Sequence, residues 1–216
     1  MKLKLLCGLV VLLASARLCA AAESATFSPG LAIPDNDANG VSDTETFSSS
    51  ITSITNVQIS LDISGGFNGD MYAYLRHGNT GFAILLNRVD RTAGNLFGSS
   101  DNGFNITLSS SAASDVHGAS AGGGILTGTW QPDGRNIDPE NALDTTARTA
   151  LFDSFNGLSA SGDWTLFIAD TSPVGTATFQ DWTLKVEGVP EPSALCLGLL
   201  GIGVFALRAH RTRRTS

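Results

Sequence analysis

The stretch VQISLDI, residues 57–63, decides the fold class of this 216-residue chain. Apolar Val57, Ile59, Leu61 and Ile63 alternate there with polar residues. A period of two places successive side chains on opposite faces of a β-strand. The stretch therefore predicts a strand with one face on an apolar core and the other face towards solvent.

The same alternation appears further along the chain. It recurs in residues 71–75, 104–108, 164–168 and 182–186. The continuous apolar run 82–86 is typical of a strand that is buried on both faces. Gly- and Asn-rich turns separate these segments, and no helical periodicity of useful length appears between residues 31 and 188. Seven or eight such strands predict an all-β fold, an antiparallel jelly-roll β-sandwich.

The N-terminal residues 1–22 have the pattern of a secretory signal peptide. Lys2 and Lys4 precede an apolar run at residues 5–14, and small residues follow at 20–22. The apolar run is too short to span a bilayer core of about 30 Å. We therefore expect export, with cleavage after Ala22.

The C-terminal residues 189–216 form a tail of three parts. Pro190, Glu191 and Pro192 come first, an apolar segment predicted as a transmembrane helix spans residues 194–207, and an Arg-rich end follows. A basic end stays in the cytoplasm under the positive-inside rule, which places the preceding body outside. This tail resembles the PEP-CTERM sorting signal of Gram-negative bacteria. The resemblance implies processing by a membrane exosortase, and display at the cell surface or in an extracellular matrix linked to exopolysaccharide.

The body between the two ends, residues 23–188, is predicted to form the β-sandwich domain, and it is strongly acidic. Residues 23–189 hold six basic and 19 acidic residues, a net charge of −13, against −7 for the whole chain. Such a body repels a phosphate backbone, so we expect no nucleic-acid partner. The three cysteines, at positions 7, 19 and 196, all lie outside residues 23–188. A core, a bound ion or both must therefore stabilise this exported domain.

With the strands placed, residues 32–187 resemble the P domain, also called Homo B, of proprotein convertases. The resemblance rests on an ordered set of segments, namely AIPDN (32–36), VQISLDI (57–63), NGDMYAYL (68–75), AILL (83–86), GTWQP (128–132), GDWTL (162–166) and WTLKV (182–186). The turn at residues 76–81 departs from the Ser-Pro-x-Gly that the family often has. In that family the protease activity belongs to a subtilisin-like domain that precedes the P domain. No such domain is found in this sequence, so we expect a non-enzyme.

One acidic loop is a candidate calcium site. Asp35, Asp37 and Asn39, followed by a glycine, match the opening of a D-x-[DN]-x-[DN]-G loop, and Asp43 adds a further carboxylate. Thr46 occupies the twelfth position, where an EF-hand requires Glu, so the prediction is a calcium loop of another type. The P-domain resemblance also implies calcium. The alternative is a solvated acidic turn that caps a strand.

Catalytic patterns are weak in this sequence. His77 and His117 are the two histidines of the body, and neither lies near a nucleophile motif. We interpret both as surface residues, His117 within a loop rich in Ser, Ala and Gly at residues 109–124. No catalytic residues are predicted.

Aromatic residues suggest a binding surface. Trp164 and Trp182 are in register with apolar strand positions and are predicted core residues. For Trp130 the sequence does not distinguish between a core and a surface position. Tyr72 and Tyr74 share the opposite face of their strand and are a candidate ligand-binding pair. Together these features predict a surface-anchored, calcium-stabilised module that binds a surface protein or exopolysaccharide. The alternative is an auxiliary P domain that acts with a separately encoded subtilisin-like protease.

Overall fold

A computed structural model describes residues 20–191, which form an all-β structure of two sheets. The ten strands are β1 (Ala21–Phe27), β2 (Leu31–Ile33), β3 (Asp37–Phe47), β4 (Ile51–Gly65), β5 (Met71–His77), β6 (Gly81–Asn87), β7 (Phe104–Ser109), β8 (Leu126–Trp130), β9 (Gly162–Asp170) and β10 (Ala177–Pro190). Short 3₁₀ helices span Asn68–Asp70, Val116–Gly118, Pro139–Asn141 and Phe152–Phe155. The predicted all-β class is confirmed.

The two sheets differ in size. The larger sheet has the order β1-β10-β4-β7-β8, and β2 also pairs with β10. The smaller sheet has the order β3-β9-β5-β6. Every pair of these strands is antiparallel except β7 and β8, which run parallel. Parallel neighbours need a long connection, and residues 110–125 supply it.

The core consists of the inward-facing residues of both sheets. The apolar residues of the 57–63 stretch are all at most 2% exposed in β4, whereas the polar residues between them are half-buried on the other face. Trp164 in β9 and Trp182 in β10 are fully buried. The period of two and the core assignment of these tryptophans are therefore confirmed.

Strand β6 is buried on both faces, as its apolar run predicts. Residues 83–87 are all buried although β6 ends the smaller sheet. The segment that follows β8 covers this edge, because Asp133 N–H donates to Leu85 O and Ile84 N–H donates to Ala150 O. The edge of the sheet is thus hydrogen-bonded without an additional strand.

Both chain ends of the described region lie at the same end of the sandwich. Ala21 pairs with Gly188 in neighbouring strands, and Pro190 pairs with Ile51. Glu191 N–H then donates to Ser50 O. Ala21, Ala22 and Pro190 are therefore strand residues, just beyond the 23–188 body.

The remaining parts of the predicted end segments lie outside the described residues. These are most of the 1–22 signal peptide, Pro192 and the 194–207 helix. Within residues 20–191, no helix is long and apolar enough to cross a membrane.

The two histidines of the body are buried, so their interpretation as surface residues is wrong. His77 is 6% exposed and stacks on Trp164, with 4.0 Å between ring centroids. His117 is 1% exposed, because the 3₁₀ helix Val116–Gly118 directs it into the protein. Composition around His117 indicates a surface loop, and only the contact with a distant segment buries the ring.

Candidate functional site

Within the predicted calcium loop Asp37 contacts Asn39, whereas Asp35 and Asp43 contact residues of other segments. Asp37 Oδ1 accepts hydrogen bonds from the backbone and side-chain N–H groups of Asn39. Asp43 Oδ2 accepts one from Trp182 Nε1 at 2.7 Å. Asp35 Oδ2 accepts one from the N–H of Val174 at 3.2 Å. The loop sequence therefore does not gather its own four side chains around one point.

The structure instead brings Asp35 towards two distant acids, Asp70 at the end of the 3₁₀ helix Asn68–Asp70 and Asp170 at the end of β9. Burial raises the pKa of Asp70 to about 6, and the negative charges of Asp170 and Asp35 add to the effect, although Arg88 opposes it. Burial, with the charge of Asp35, also raises the pKa of Asp170. Arg88 Nη2 lies 3.7 Å from Asp70 Oδ1. We call Asp35, Asp70 and Asp170 the acidic end of the sandwich.

The acidic end carries oxygen donors of the kind that calcium prefers. Across the part of the chain that the structure describes, no three His, Cys, Asp or Glu side chains converge as metal ligands would. An ion held here would therefore complete its shell with backbone oxygens and water. Asp170 also caps its own turn, because its Oδ1 accepts a hydrogen bond from Ser172 N–H at 3.1 Å.

Tyr72 and Tyr74 lie within an aromatic cluster on the outer face of the smaller sheet. The Tyr74 ring stacks on Phe167 with centroids 4.8 Å apart, and Phe82 lies 5.4 Å away from it. Burial raises the pKa of Tyr72 to about 12. Both tyrosines are half-buried, so the cluster exposes part of each ring.

A second surface feature, the Trp130 groove, lies at the end of β8. Asp115, Gly118, Trp130, Gln131 and Arg148 line this open groove of about 630 Å³. Trp130 Nε1 donates to Thr127 O at 3.0 Å, which fixes the indole ring. Sequence reasoning missed the groove because its residues come from three separate segments of the chain.

Behind the groove, a buried polar network connects the 109–124 loop to the segment after β8. His117 Nδ1 donates to Asp133 Oδ2 at 2.8 Å, and its Nε2 lies 2.9 Å from Arg91 O. Arg135 Nη1 lies 3.3 Å from Asp133 Oδ1. Burial by itself lowers the pKa of His117, but the hydrogen bond and charge of Asp133 and the carbonyl of Arg91 outweigh it and raise the pKa.

This network is structural in character. A histidine beside a buried aspartate resembles two members of a catalytic triad, yet both side chains are at most 1% exposed. The two side chains are therefore closed off from solvent. Their effect is to attach the 109–124 loop to the segment after β8.

Two family models match the chain, one after the other. Residues 132–186 match the proprotein convertase P-domain, and residues 188–214 match the PEP-CTERM protein-sorting motif. The predicted combination of P domain and sorting tail is confirmed. The sorting motif indicates an exported protein that an exosortase-type enzyme recognises at the membrane and that is sorted to the surface, and the P domain is a non-catalytic module.

Two solved structures are similar to this chain at low identity. One is the Aeromonas sobria serine protease in complex with the chaperone, with 15% identity and a TM-score of 0.46. The other is the serine protease of Aeromonas sobria, with 14% identity and a TM-score of 0.45. Each match covers 79% of this chain but 27% of the other chain. No curated protein matches the sequence.

Proposed function

We propose that this protein is an exported, surface-anchored, non-catalytic module that binds a surface protein or exopolysaccharide. The observation that carries the proposal is the junction of its two parts. The match to the sorting motif begins at Gly188, inside β10, where that residue pairs with Ile54 and with Ala21. The sandwich is therefore what the sorting segment carries to the surface, with no linker between them.

The strand pairs support a jelly roll for this module. Without β2 and β8, eight strands remain, and they pair β1 with β10, β3 with β9, β4 with β7, and β5 with β6. These are the first and eighth, second and seventh, third and sixth, and fourth and fifth strands. Such pairs form one long antiparallel hairpin, which a jelly roll wraps around its core.

Charge supports the calcium part of the proposal. Among the described residues of the acidic end, burial raises the pKa of Asp70 and of Asp170, and the negative charge of Asp35 adds to both shifts against the nearby guanidinium of Arg88. A divalent cation would offset this repulsion and bind the folded state alone, which raises stability. Melting of residues 20–191 in millimolar calcium and in excess EGTA tests this part. An equal melting temperature in both would overturn it.

Two variants distinguish a calcium site at the acidic end from a calcium site in the predicted loop. We expect Asp170→Asn to remove the calcium-dependent rise in melting temperature, because it removes one buried carboxylate of the end. Asp37→Asn changes a carboxylate that contacts Asn39 and serves as the comparison. If only Asp37→Asn removes the rise, the ion binds the loop itself.

A second function, an auxiliary P domain for a separate subtilisin-like protease, is favoured by apolar residues near the acidic end. Phe97 in the 88–103 loop is 86% exposed, Val174 is 69% exposed, and Phe67 is 39% exposed. The loops that carry Phe67 and Phe97 are joined through the backbone, since Gly69 N–H donates to Ser99 O at 2.9 Å, and a Cβ added at Gly175 would lie 4.0 Å from Phe67 N. Co-purification with a protease, lost in Phe97→Ser, would establish this function.

Surface display is tested by fractionation of cells that produce the full chain. We expect the sandwich at the cell surface or in the matrix, and we expect it to accumulate in the membrane fraction when Glu191 is replaced by Gln together with Pro192 by Ala. These changes leave the pairing of Pro190 with Ile51 intact. Unchanged surface delivery of that variant would contradict the role of the motif.

A further inference from the structure

We infer that the Trp130 groove binds a neutral saccharide chain, with the indole ring of Trp130 as its stacking platform. The inference rests on the proposed function, because it names a ligand class and a site for the displayed module. It concerns residues other than the tyrosine cluster and the acidic end.

Trp130 differs from the other two tryptophans in being open to solvent. Trp164 and Trp182 are fully buried, whereas Trp130 is half-buried and lines the groove. Its one polar atom, Nε1, is bound to Thr127 O, so the remaining accessible surface is the apolar ring. A half-exposed ring held in one orientation offers apolar area at a low entropic cost on binding.

The polar side chains of the groove are also held in place. Arg148 donates three hydrogen bonds, from Nε to Asp133 O, from Nη1 to Gln131 Oε1 and from Nη2 to Pro132 O. A guanidinium has five N–H groups, so two remain for a ligand. The side chain of Arg148 is 25% exposed.

Hydrogen-bond acceptors lie beside these donors in the groove. Asp115 Oδ1 accepts a hydrogen bond from His117 N–H, and its Oδ2 lies 3.5 Å from Arg148 Nε. The side chain of Asp115 is 20% exposed, so its oxygens keep free lone pairs at the groove. Gln131 Nε2 donates to Ala112 O and keeps one N–H.

Together these groups fit a saccharide better than other ligands. A pyranose ring presents C–H groups on its faces and hydroxyls around its rim, which suits an aromatic platform with donors and acceptors beside it. The volume of about 630 Å³ lies within the range of small-molecule sites. The net charge of −13 carried by residues 23–189 opposes an anionic ligand, and the polar walls of the groove oppose an apolar one.

The test uses the different exposure of the three tryptophans. Acrylamide quenches accessible indoles, so quenching in the folded protein reports on Trp130. Neutral hexasaccharides of glucose and mannose in several linkages, at millimolar concentration, serve as probes. We expect at least one of them to protect Trp130 from quenching, and we expect Trp130→Ala to weaken its binding, measured by calorimetry, at least about tenfold.

A second variant blocks the groove and tests the binding site in a protein that is expected to keep its fold. Gly118 is exposed and lines the groove, and a Cβ there would meet no atom within 4 Å, so Gly118→Leu places a side chain in the opening of the groove. We expect this variant to melt as the wild type does and to lose saccharide binding. Phe97→Ala, which removes an exposed aromatic ring outside the groove, should bind normally.

Failure of the inference can be told apart from failure of the proposed function. If no probe protects Trp130, or if Gly118→Leu binds as the wild type does, the saccharide site is refuted. Protection of Trp130 by a protein partner, and by none of the saccharides, also refutes it. Surface delivery is measured separately, and its loss with saccharide binding intact would refute the display function alone.

Discussion

The buried pair of His117 and Asp133 makes stability depend on pH in a direction that the structure fixes. Asp133 is 0% exposed and binds both the imidazole of His117 and the guanidinium of Arg135. The perturbation is Asp133→Asn, which keeps the shape but removes the negative charge. His117→Gln removes the titrating ring instead.

The sign follows from the raised pKa of His117. The unfolded chain has a histidine pKa of about 6.5. Between that value and the higher folded pKa, the native state binds more protons than the unfolded state, so the free energy of unfolding falls as pH rises. The contribution of His117 is complete below about pH 6.5 and is lost as pH rises through the folded pKa.

The magnitude follows from burial. Removing one partner of a buried ion pair costs about 3–5 kcal/mol, since the other charge remains unpaired. We therefore expect Asp133→Asn to lower the free energy of unfolding by about 3 kcal/mol or more at about pH 5.5, where His117 is charged. At about pH 8.5 the neutral ring accepts a hydrogen bond from the Asn amide, so we expect a smaller loss. Arg135 then keeps one carboxylate partner, Asp115, of the two that it has in the wild type.

Urea unfolding of residues 20–191 measures these differences, since the midpoint and slope give the free energy at each pH. Asp144→Asn is the matched control, because Asp144 is an exposed carboxylate nearby in sequence. His117→Gln should remove the decline in stability above about pH 6.5. An equal decline in His117→Gln and wild type, or an equal loss in Asp133→Asn at both pH values, would refute the reasoning.

Two further predictions concern the backbone. A Cβ at Gly40 would overlap Ile168 O at a φ of +50°, so Gly40→Ala should lower the free energy of unfolding by about 3 kcal/mol. Gly78→Ala, with φ +55° and no atom within 4 Å of a Cβ, should lower it by about 1 kcal/mol. Equal losses in thermal melts would show that the close contact is relieved. Asp101 accepts hydrogen bonds from two backbone N–H groups of residues 121–123, which, against the opposite effect of burial, lower its pKa. Asp101→Ala should therefore lower the free energy of unfolding by about 2 kcal/mol at neutral pH, and by less as pH falls through that lowered pKa. A loss that stays constant down to about pH 2 would contradict this account.

The strands were predictable because alternation is a local property. Residues 57–63 bury every second side chain in β4, and the apolar run 82–86 becomes a strand with two buried faces, as their patterns indicate. The sequence did not reveal the parallel pairing of β7 with β8, because no residue of either strand encodes its neighbour.

The candidate sites depended much more on tertiary structure. The sequence drew attention to Asp35 through its own loop, yet Asp70 approaches it from a 3₁₀ helix and Asp170 from strand β9. His117 lies in a segment of Ser, Ala and Gly, and only Asp133, 16 residues later, explains its burial.

The amino-acid sequence by itself determined the all-β class, the acidic body and the sorting tail, because these follow from period, composition and a contiguous motif. Only the tertiary structure decided which polar groups are buried and which stay open. It buried His77 and His117 and left Trp130 beside Asp115 and Arg148 in a groove. The physical reason is that burial and electrostatic coupling depend on distances between residues far apart in the chain, and the packing of the two sheets sets those distances.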